Sequence, residues 1–566
     1  MLRLTRASFW KLESSFPTLY RLASSSFVSS PVPTNESMLD FQPGSPETAK
    51  IKETLTEMKR AGPVQIPCVI NGEEIQTGET RNQVAPYDHQ RVVSTFNLAN
   101  GELIKQGIER SLKIRRDWEM SPFEDKAAVF LKAAELLSEK YRYEILAATM
   151  IGQGKTIFQA EIDASCELID FYRFGVKWAE ELHYTQPKLH STGIWNKLVY
   201  RGLEGFVASI SPFNFTAIGG NLCAMPALMG NVVQWKPSDT AMLSNYMIFK
   251  ILREAGLPDG VINFLPADGP TFGDTVTSSP DLAAIVFTGS AKTFKHLWKQ
   301  VGHNIDTYKS FPRFVGESGG KNYHFVHPTA DLETAISGTV RSAYEFSGQK
   351  CSACSRLYVP DTLWPQIKEG ILDKISKMKI NTPEDFSTYT SAVIDDKSFG
   401  RLKKWIDLAK NDPELKIIVG GNYDDSVGYY IYPTVIETTN PKHAFMQEEM
   451  FGPVLTVYVY PAGQVEQTLR LIDETSPYAL TGSIYARERT VLRWARDILR
   501  DSAGNIYFND KSTGSVVGQQ PFGGSRASGT NDKTNMAPLL YKFTSIQSVK
   551  DQLAPQTEWK PISVED

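Results

Sequence analysis

Three side chains in the sequence have the chemistry of a nucleophile, a base and an oxyanion donor. Cys351 follows a run of small residues that lets the backbone bring a thiol close to a substrate, and the adjacent ammonium of Lys350 favours the reactive thiolate. Glu317 lies in a glycine-rich run and carries the carboxylate that a general base needs. Asn214 follows a predicted strand, where its side-chain amide can donate to a developing oxyanion. These residue types are those of nucleophilic catalysis.

Each of these residues also has a plainer interpretation. A lone cysteine is more often an inert buried residue, an isolated glutamate is usually solvated, and an asparagine at the position of Asn214 can cap a helix. Cys351 and Cys354 form a C-x-x-C, which is typical of zinc or thiol-redox proteins. A zinc site needs four ligands, the chain has no second C-x-x-C, and the spacing of His324 and His327 is wrong for the usual pair. Bound metal would revive that alternative.

A glycine-containing turn, 287–290, lies between a predicted strand and a predicted helix. Backbone N–H groups at such a helix start can bind a phosphate. The turn lacks the G-x-G-x-x-G pattern, so a simple tight turn explains it equally well.

Short apolar strands alternate with helices through most of the chain, and they must position these side chains. The helical spacing at 100–141 includes a capping box that begins at Ser121, and a further helix is predicted at 241–255. Strands joined by helical crossovers predict a parallel sheet that is covered on both faces. The predicted strands are 205–211, 232–236, 261–265, 283–287, 323–326, 417–419 and 456–460.

Composition narrows the class of protein. The 566 residues include 60 Lys and Arg against 64 Asp and Glu, a formal net charge of −4 that offers no strong field for nucleic acid. Five cysteines are too few for a disulfide scaffold and indicate a reducing compartment. No stretch approaches the roughly 18 apolar residues of a membrane span, so no membrane insertion is expected. The expected partners are small molecules or other proteins.

The first residues have the composition of a targeting segment. Residues 1–25 contain Arg3, Arg6, Lys11 and Arg21 against the single acid Glu13, interleaved with apolar residues and many serines. This pattern predicts a mitochondrial transit peptide, and an ordinary disordered terminus is the alternative. The Ser- and Pro-rich residues 26–45 predict an unstructured lead-in.

Taken together and in order, the motifs between residues 85 and 545 resemble the aldehyde dehydrogenase superfamily. These motifs are 210–215, 235–238, 287–290, 316–321, 348–351, 449–453 and 521–524. Further segments resemble one branch, the delta-1-pyrroline-5-carboxylate dehydrogenases, whose eukaryotic members are mitochondrial. These segments are 213–217, 350–356, 514–520 and 527–533.

The resemblance implies a mechanism in the mitochondrial matrix. The Cys351 thiolate attacks the aldehyde while the Asn214 amide and the Cys351 N–H stabilise the oxyanion. A hydride passes to NAD, and water activated by Glu317 hydrolyses the resulting thioester. The implied substrate is L-glutamate gamma-semialdehyde and the implied product is glutamate.

The same resemblance assigns the cofactor residues. Glu449 is expected on the nicotinamide ribose with Phe451 beside it, and the acid Asp239 favours NAD over NADP. Phe294 departs from the general pattern, in which many members have a second glycine. The remaining residues expected on NAD are Ser211, Lys236, Gly289, Ser290, Ala291, Lys292 and Thr293.

The substrate residues are expected in a loop near the C-terminus and beside the nucleophile. The Ser515 hydroxyl and the Gly514 N–H are expected to bind a carboxylate, with Ser352 as a third donor. Phe522 is expected to pack on the aliphatic part of the substrate. A turn-forming serine and a core phenylalanine are the alternatives for Ser515 and Phe522.

The architecture that the resemblance implies is α/β, with a Rossmann-like NAD domain at 46–185 and 202–315 and a catalytic domain at 316–501. A small hairpin-based oligomerisation element at 186–201 is joined by residues 540–566, and 502–539 supply the substrate loop and the return to the NAD domain. A homodimer or higher homo-oligomer is expected.

Two other classes stay open. A CoA-acylating semialdehyde dehydrogenase usually lacks the glutamate found here at 317. A catalytically silent protein on the same fold typically loses the nucleophile or the base, and this chain has both.

Overall fold

A computed structural model describes residues 29–534, 536–561 and 563–564. The transit peptide predicted at 1–25 lies outside the described residues. Among the helices of the described ranges, none is long and apolar enough to cross a bilayer.

The first large sheet carries Glu317 at the end of its edge strand. Its central strands are parallel, and the last two strands join antiparallel at the opposite edge. Within the described residues its strands, in spatial order, are Arg313–Glu317, Leu282–Thr288, Phe206–Ile210, Val232–Lys236, Ile262–Phe264, Cys68–Ile70 and Glu73–Ile75. The parallel sheet predicted from the apolar segments is confirmed.

Both faces of this sheet are buried. Val207 and Val233 belong to one apolar cluster, whereas Phe206 and Ala208 belong to another on the opposite face. Helices cover both faces, so successive residues of a strand are buried and mostly apolar. This explains why short continuous apolar segments were sufficient to predict these strands.

The second large sheet contains the strand that precedes Cys351 in the chain, Asn322–Val326, and the strand that follows it, Cys354–Pro360. One edge strand, Leu415–Val419, is antiparallel and the others are parallel. The strands that the structure describes in it are, in spatial order, Leu415–Val419, Thr434–Thr438, Val454–Tyr460, Cys354–Pro360, Asn322–Val326, Thr481–Tyr485 and Asn505–Phe508.

These pairings move the predicted limits of the catalytic domain. Asn505–Phe508 pairs with Thr481–Tyr485, so the second sheet extends beyond the predicted boundary at residue 501. Arg313–Glu317 pairs with Leu282–Thr288 and belongs to the first sheet. The chain therefore passes from the first sheet to the second after Glu317. Strand pairing places this boundary a few residues later than the glycine-rich motif indicated.

Smaller strand pairs complete the sheets. Val64–Ile66, Asp88–Asn97 and Thr80–Ala85 form one sheet, Tyr423–Asp424 pairs with Tyr430–Ile431, and Tyr478–Ala479 pairs with Ser525–Arg526. Ile194–Arg201 pairs antiparallel with Ser545–Gln552. The strand predicted within 186–201 thus has its partner in the C-terminal tail, and the two do not form a local hairpin.

The α-helices lie on the faces of the sheets and between them. They are Pro46–Ala61, Gly101–Met120, Phe123–Ser138, Arg142–Gln153, Ile157–Ala160, Leu168–His183, Thr216–Leu228, Met242–Glu254, Gly269–Thr277, Ala291–His303, Leu332–Tyr344, Trp364–Ser376, Asp396–Asn411, Ala444–Gln447, Val465–Thr475, Arg489–Ile498 and Ala537–Leu540. A π-helical turn, Glu161–Glu167, and the 3₁₀ turns Asp239–Ala241, Ile305–Thr307, Glu345–Gly348 and Tyr541–Phe543 accompany them.

The predicted helical stretch 100–141 is divided at Ser121. The Ser121 hydroxyl donates to the Asp117 carbonyl at 2.9 Å, at the end of the helix Gly101–Met120. The next helix, Phe123–Ser138, has no side-chain cap. The predicted capping box is therefore wrong, because the Ser121 hydroxyl bonds to a carbonyl of the helix that ends there and caps no N–H of the next one.

Residues 29–44, which we call the N-terminal arm, are extended and form neither helix nor strand. The Glu36 carboxylate pairs with the guanidinium groups of Arg142 and Arg173, each at 2.6 Å. Backbone contacts add to this, since the Leu39 N–H donates to Glu161 at 2.9 Å. The arm is thus held against the body, and the prediction of an unstructured lead-in is corrected for these residues.

Candidate active site

Cys351 and Glu317 come together where the two large sheets adjoin. Glu317 ends a strand of the first sheet, and after four residues the chain enters Asn322–Val326 of the second sheet. Cys351 lies in the turn before Cys354–Pro360, which pairs with Asn322–Val326. The Asn322 amide donates to the carbonyls of Cys351 and Ala353 at 2.7 and 2.8 Å. One asparagine therefore holds the turn of the nucleophile to the strand that follows the base.

A cavity of about 380 Å³ contains most of the residues expected to act on the substrate. Its lining is largely apolar, with Phe171, Phe215 and Met225 among the contributors, and it includes the charged residues Glu167 and Lys511. The predicted residues that line it are Glu317, Cys351, Ser352, Gly514, Ser515 and Phe522. A mostly apolar cavity with a few convergent polar groups is the usual form of a small-molecule site.

Asn214 lies beside the backbone that leads to Cys351. Its side chain is buried, and its amide donates to the Gln349 carbonyl at 3.2 Å. A primary amide has two N–H groups, so one remains able to donate to an oxyanion at the thiol.

The backbone before Cys351 adopts an uncommon conformation. Phe346 and Ser347 both have φ of 52°, in the left-handed region, which costs on the order of 1–3 kcal/mol for each such residue. Surrounding hydrogen bonds hold it, since the Ser347 N–H donates to the Thr390 hydroxyl at 2.7 Å. Gly348 follows with φ of 65°, where an added Cβ would lie 2.4 Å from the Gly452 carbonyl oxygen. Packing therefore fixes the turn that presents the thiol.

The Cys351 thiol has an unfavourable environment for its own ionisation. Burial raises its pKa to about 12, and the carboxylates of Glu317, Glu449 and Glu167 contribute to the same effect. Lys350 does not compensate, because its ammonium pairs with Glu345 at 3.0 Å. The prediction that Lys350 favours the thiolate is corrected accordingly.

Glu317 lines the same cavity and is partly buried. Burial raises the pKa of its carboxyl well above the usual range, against the lowering effect of the Lys533 ammonium and the Gly524 N–H. Its Oε2 atom has no hydrogen-bond partner within the part of the chain that the structure describes. A buried acceptor without a partner is available to a water or a substrate group.

The residues expected on the cofactor lie at the carboxyl ends of parallel strands. Ile210 and Lys236 are register partners, which brings Ser211 beside Lys236. The Trp235 indole donates to the Ser211 hydroxyl at 2.6 Å, and the Lys236 ammonium donates to the Pro237 carbonyl at 3.2 Å. Both Ser211 and Lys236 keep hydrogens with which they can donate to a ligand.

Asp239, which is expected to favour NAD, takes part in an ion pair. Its carboxylate lies 2.9 Å from the Arg81 guanidinium and 3.8 Å from the Lys236 ammonium. The Arg81 guanidinium also lies 3.4 Å from Asp268.

The turn 289–293 begins the helix Ala291–His303 beside Glu317. The Gly289 N–H donates to the Glu317 carbonyl at 3.1 Å, and the Ser290 hydroxyl caps the helix by accepting from the Thr293 N–H at 3.2 Å. Ala291 is buried, whereas Lys292 and Thr293 are exposed.

The bulky Phe294 in this helix is accommodated by a glycine. Its ring stacks on Phe287 at 5.5 Å, and a Cβ added to Gly316 would lie 2.1 Å from that ring. The turn has Phe294 where many family members have a glycine, and the glycine that makes room for its ring is Gly316 in the neighbouring strand Arg313–Glu317.

Glu449 and Phe451 lie in the loop before the strand Val454–Tyr460 of the second sheet. The Gly320 N–H donates to the Glu449 carboxylate at 2.7 Å, and burial raises the pKa of this carboxyl to about 7. Phe451 has φ of 55° and contacts the Phe213 ring edge-on at 5.7 Å. These contacts connect the 449–451 segment with the residues around Asn214.

The donor set along this edge fits a dinucleotide. Doubly wound sheets bind nucleotides outside the carboxyl ends of their strands, and here a hydroxyl, an ammonium and a helix start occupy that position. In addition, the buried Lys321 ammonium, close to Glu449, has no hydrogen-bond partner among the residues described, and burial lowers its pKa to about 7. Unused buried donors are expected where a polar ligand completes the site.

The loop 513–520 forms one end of the cavity. The Ser515 hydroxyl donates to the Gln520 carbonyl at 2.7 Å, so binding a carboxylate requires this proton to turn away from the loop. Gly514 has φ of 88°, and a Cβ there would lie 3.1 Å from the Lys511 ammonium. The loop therefore has a glycine where the backbone requires one and a cation close by.

Ser352 and Phe522 are held by backbone contacts. The Ser352 carbonyl accepts from the Ser512 hydroxyl at 3.0 Å and the Thr481 hydroxyl at 3.2 Å. Phe522 exchanges backbone hydrogen bonds with Thr534 at 3.2 and 2.8 Å. Both residues are thus fixed relative to Cys351.

Two acidic residues near the cavity escaped the sequence analysis. Glu167 lines it, and burial raises the pKa of its carboxyl to about 8. Asp163 precedes it in the π-helical turn Glu161–Glu167. Such turns are frequent at functional sites, but their extra residue leaves no recognisable spacing in a sequence.

A buried ion pair holds the helix that follows Asn214. The Lys155 ammonium and the Asp163 carboxylate are 2.8 Å apart, and neither side chain is exposed. The same carboxylate accepts from the N–H groups of Thr216 and Ala217 at 2.9 and 2.8 Å. Lys155 also lies 4.0 Å from the centre of the Phe215 ring. The pair therefore anchors the start of the helix beside the cavity.

Replacement of Lys155 by alanine is expected to lower the free energy of unfolding by about 3–5 kcal/mol, because it leaves the Asp163 charge buried without a cation beside it. Urea unfolding measures this as a lower midpoint. The control, Lys295→Ala, removes an exposed lysine and is expected to change stability by less than about 0.5 kcal/mol. Equal stability of the two variants would contradict the role of the pair.

Known proteins resemble this chain over nearly all its length. The model of the Aldehyde dehydrogenase family matches residues 74–549. The mitochondrial delta-1-pyrroline-5-carboxylate dehydrogenase of Danio rerio is 58% identical over 527 residues, 93% of this chain and 94% of that one. The Homo sapiens protein of the same name is 55% identical over 527 residues, 93% of each chain.

A solved structure agrees with these matches. The delta-pyrroline-5-carboxylate dehydrogenase from Mycobacterium tuberculosis, bound with NAD, is 42% identical with a TM-score of 0.91, covering 95% of this chain and 99% of that one. The family match includes the second large sheet, all of the first except Cys68–Ile70 and Glu73, and every residue predicted to act on substrate or cofactor. The chain therefore belongs to the aldehyde dehydrogenase family.

Proposed function

We propose that the protein is an NAD-dependent dehydrogenase that oxidises L-glutamate gamma-semialdehyde, the open form of pyrroline-5-carboxylate, to L-glutamate in proline degradation. The observation that carries the proposal is that Cys351, Glu317, Gly514 and Ser515 line one cavity. A nucleophile, a base and a loop suited to a carboxylate thus adjoin the same space. The names of the relatives from Danio rerio and Homo sapiens support the same substrate.

The first step follows loss of the Cys351 thiol proton to water: the thiolate sulfur bonds to the aldehyde carbon, and the electron pair of the C=O π bond moves to the aldehyde oxygen. The charge that develops on the aldehyde oxygen is stabilised by the Asn214 amide and the Cys351 N–H. The hydrogen bond from Asn214 to Gln349 supports this role, because it holds the amide next to the backbone of the nucleophile.

NAD, when bound, supplies the nicotinamide ring that accepts the hydride. Lys236, Ser211 and the turn 289–293 would hold its adenosine and phosphate groups. Glu449 would bind the nicotinamide ribose, with Phe451 beside it. The relative from Mycobacterium tuberculosis is described as bound with NAD, which supports this choice of cofactor.

The remaining thioester on Cys351 is released by water. Glu317 takes a proton from that water as the new C–O bond forms, and the thiolate leaves. The Oε2 atom of Glu317, which lacks a partner within the described ranges, is a suitable acceptor for it. Release by water, and not by CoA, follows from a base at this position.

The substrate carboxylate binds at the loop end of the cavity. Gly514 donates its N–H, and the hydroxyls of Ser515 and Ser352 add two further hydrogen bonds. Lys511 lines the same cavity and supplies a positive charge that favours an anionic substrate. Phe522 packs against the aliphatic middle of the chain.

Assembly and location complete the proposal. The protein forms a homodimer or a higher homo-oligomer through Ile194–Arg201 and Ser545–Gln552, on which Trp195 is 51% and Ile546 41% exposed. It acts in the mitochondrial matrix after loss of the segment 1–25. The relatives named mitochondrial and the basic, acid-poor N-terminus support this location.

The test is an NADH assay across a panel of aldehydes. Pyrroline-5-carboxylate with NAD is expected to yield NADH and glutamate, and simple alkyl aldehydes are expected to react more slowly because they leave the carboxylate-binding donors unpaired. A protein that oxidises propanal but not glutamate semialdehyde would refute the substrate assignment. Stoichiometric zinc in the purified protein would revive the alternative based on Cys351 and Cys354.

A further inference from the structure

The N-terminal arm reaches the loop at the end of the cavity. The two N–H groups of the Asn35 amide donate to the Val517 carbonyl and to the Asp170 carboxylate, each at 2.7 Å. The Gln519 amide donates in turn to the Asn35 side-chain oxygen at 3.0 Å. Asn35 therefore joins the loop 513–520 to the helix Leu168–His183.

The arm is itself firmly attached to the body. The Glu36 N–H donates to Asp170 at 2.7 Å, and the Glu36 carboxylate pairs with Arg142 and Arg173. Asp170 and Arg142 are both buried. Hydrogen bonds to charged groups are among the stronger ones in proteins, so Asn35 is held in place independently of the loop.

Hydrogen bonds within the loop connect Ser515 with Gln519 and Gln520. The Ser515 hydroxyl and the Val516 N–H both bond to Gln520, at 2.7 and 2.9 Å. The N–H groups of Gln519 and Gln520 donate to the Val516 carbonyl at 3.0 Å. A displacement at Gln519 is therefore transmitted to Ser515 through short hydrogen-bonded connections.

Packing against the helix Leu168–His183 also restricts the loop. Val517 is buried, and a Cβ added to Gly518 would lie 2.4 Å from the Phe174 ring. Met38 of the arm lies on the wall of the cavity itself. The arm thus contributes both a support for the loop and a part of the enclosure.

We propose that Asn35 is a positioning residue for substrate selection: it fixes the loop whose Gly514 and Ser515 receive the substrate carboxylate. This inference rests on the proposed function, because it assigns Asn35 an effect on aldehydes that carry a carboxylate. Asn35 touches neither the thiol nor the aldehyde carbon, so it acts on binding and leaves the chemical steps unchanged.

The test compares two aldehydes in full-length protein. Asn35→Ala is expected to raise KM for glutamate semialdehyde roughly three- to tenfold, the effect of losing about one hydrogen bond, with kcat unchanged. The KM and kcat for propanal, which has no carboxylate, are expected to stay at the wild-type values. A general loosening of the fold would change both substrates alike.

A second variant keeps the test decisive if Asn35→Ala folds poorly. Gln519→Ala removes the loop's donor to Asn35 and is expected to raise KM in the same selective way. The double variant is expected to have the same KM as Asn35→Ala alone, because the bond lost in Gln519→Ala is already lost in Asn35→Ala. Ser37→Ala, which removes an exposed hydroxyl from the same arm, is the matched control and is expected to behave as wild type.

Several outcomes would overturn the inference. These are equal changes for both aldehydes, additive effects in the double variant, or unchanged KM in both single variants while the wild type oxidises glutamate semialdehyde normally. A wild type that oxidises propanal but not glutamate semialdehyde would overturn the proposed function, and this inference with it.

Discussion

Replacement of Cys351 by alanine is expected to abolish NADH formation from glutamate semialdehyde, lowering kcat/KM by a factor of about 10⁴ or more. Without the sulfur no covalent adduct forms, and the hydride has no tetrahedral carbon from which to leave.

Cys354→Ala is the matched control. Cys354 is the second cysteine of the C-x-x-C, but it is buried and its thiol donates to the Arg356 carbonyl at 3.6 Å. Its replacement is expected to leave NADH formation within about twofold of wild type, since a buried structural cysteine is chemically inert. Activity that survives in Cys351→Ala, or that is lost equally in both variants, would contradict the assignment of Cys351 as the nucleophile.

The parallel sheets were predictable because their strands are apolar on both faces. The segment 232–236 is recognised from composition alone, and the structure begins and ends that strand at the same residues. Leu415–Val419 starts earlier than its predicted range, because its exposed Lys416 hides the first part of an edge strand from a search for apolar runs. Burial on both faces is thus what makes a strand visible in a single sequence.

The contacts that hold the site were not predictable, because they join residues far apart in the chain. Asn35 and Val517 are 482 positions apart, and no local pattern connects them. The same applies to Thr216, whose N–H is accepted by Asp163, 53 positions earlier. Motifs indicate which residues act, whereas the residues that position them come from whichever segment the fold brings near.

Local rules also failed where a side chain had two possible partners. Ser121 has the spacing of a helix cap, yet its hydroxyl bonds to the preceding helix. Lys350 is adjacent to the thiol in sequence, yet it pairs with Glu345. In both cases the sequence identifies a side chain that can form a hydrogen bond or an ion pair. Which partner it binds depends on the packing of the folded chain.

Replacement of Glu317 by glutamine is expected to preserve a stoichiometric burst of NADH and to slow the following turnover by about 10²–10⁴-fold, the usual contribution of a general base. Burial raises the pKa of this carboxyl. Glutamine keeps the shape of the side chain but cannot take a proton from water. Hydride transfer is therefore spared, and only the water-dependent release of the thioester is lost. Rapid-mixing measurement of NADH separates the two phases.

The pH dependence gives this prediction a second, independent test. Because the base acts as a carboxylate and its pKa lies well above the usual range, the rate of thioester release in wild type is expected to rise with pH and to level off once Glu317 is ionised. Glu317→Gln is expected to lose that levelling and to show only the steady increase of attack by hydroxide. Loss of the NADH burst in Glu317→Gln would show that Glu317 acts before the thioester forms, and an unchanged pH profile would exclude it as the base for hydrolysis.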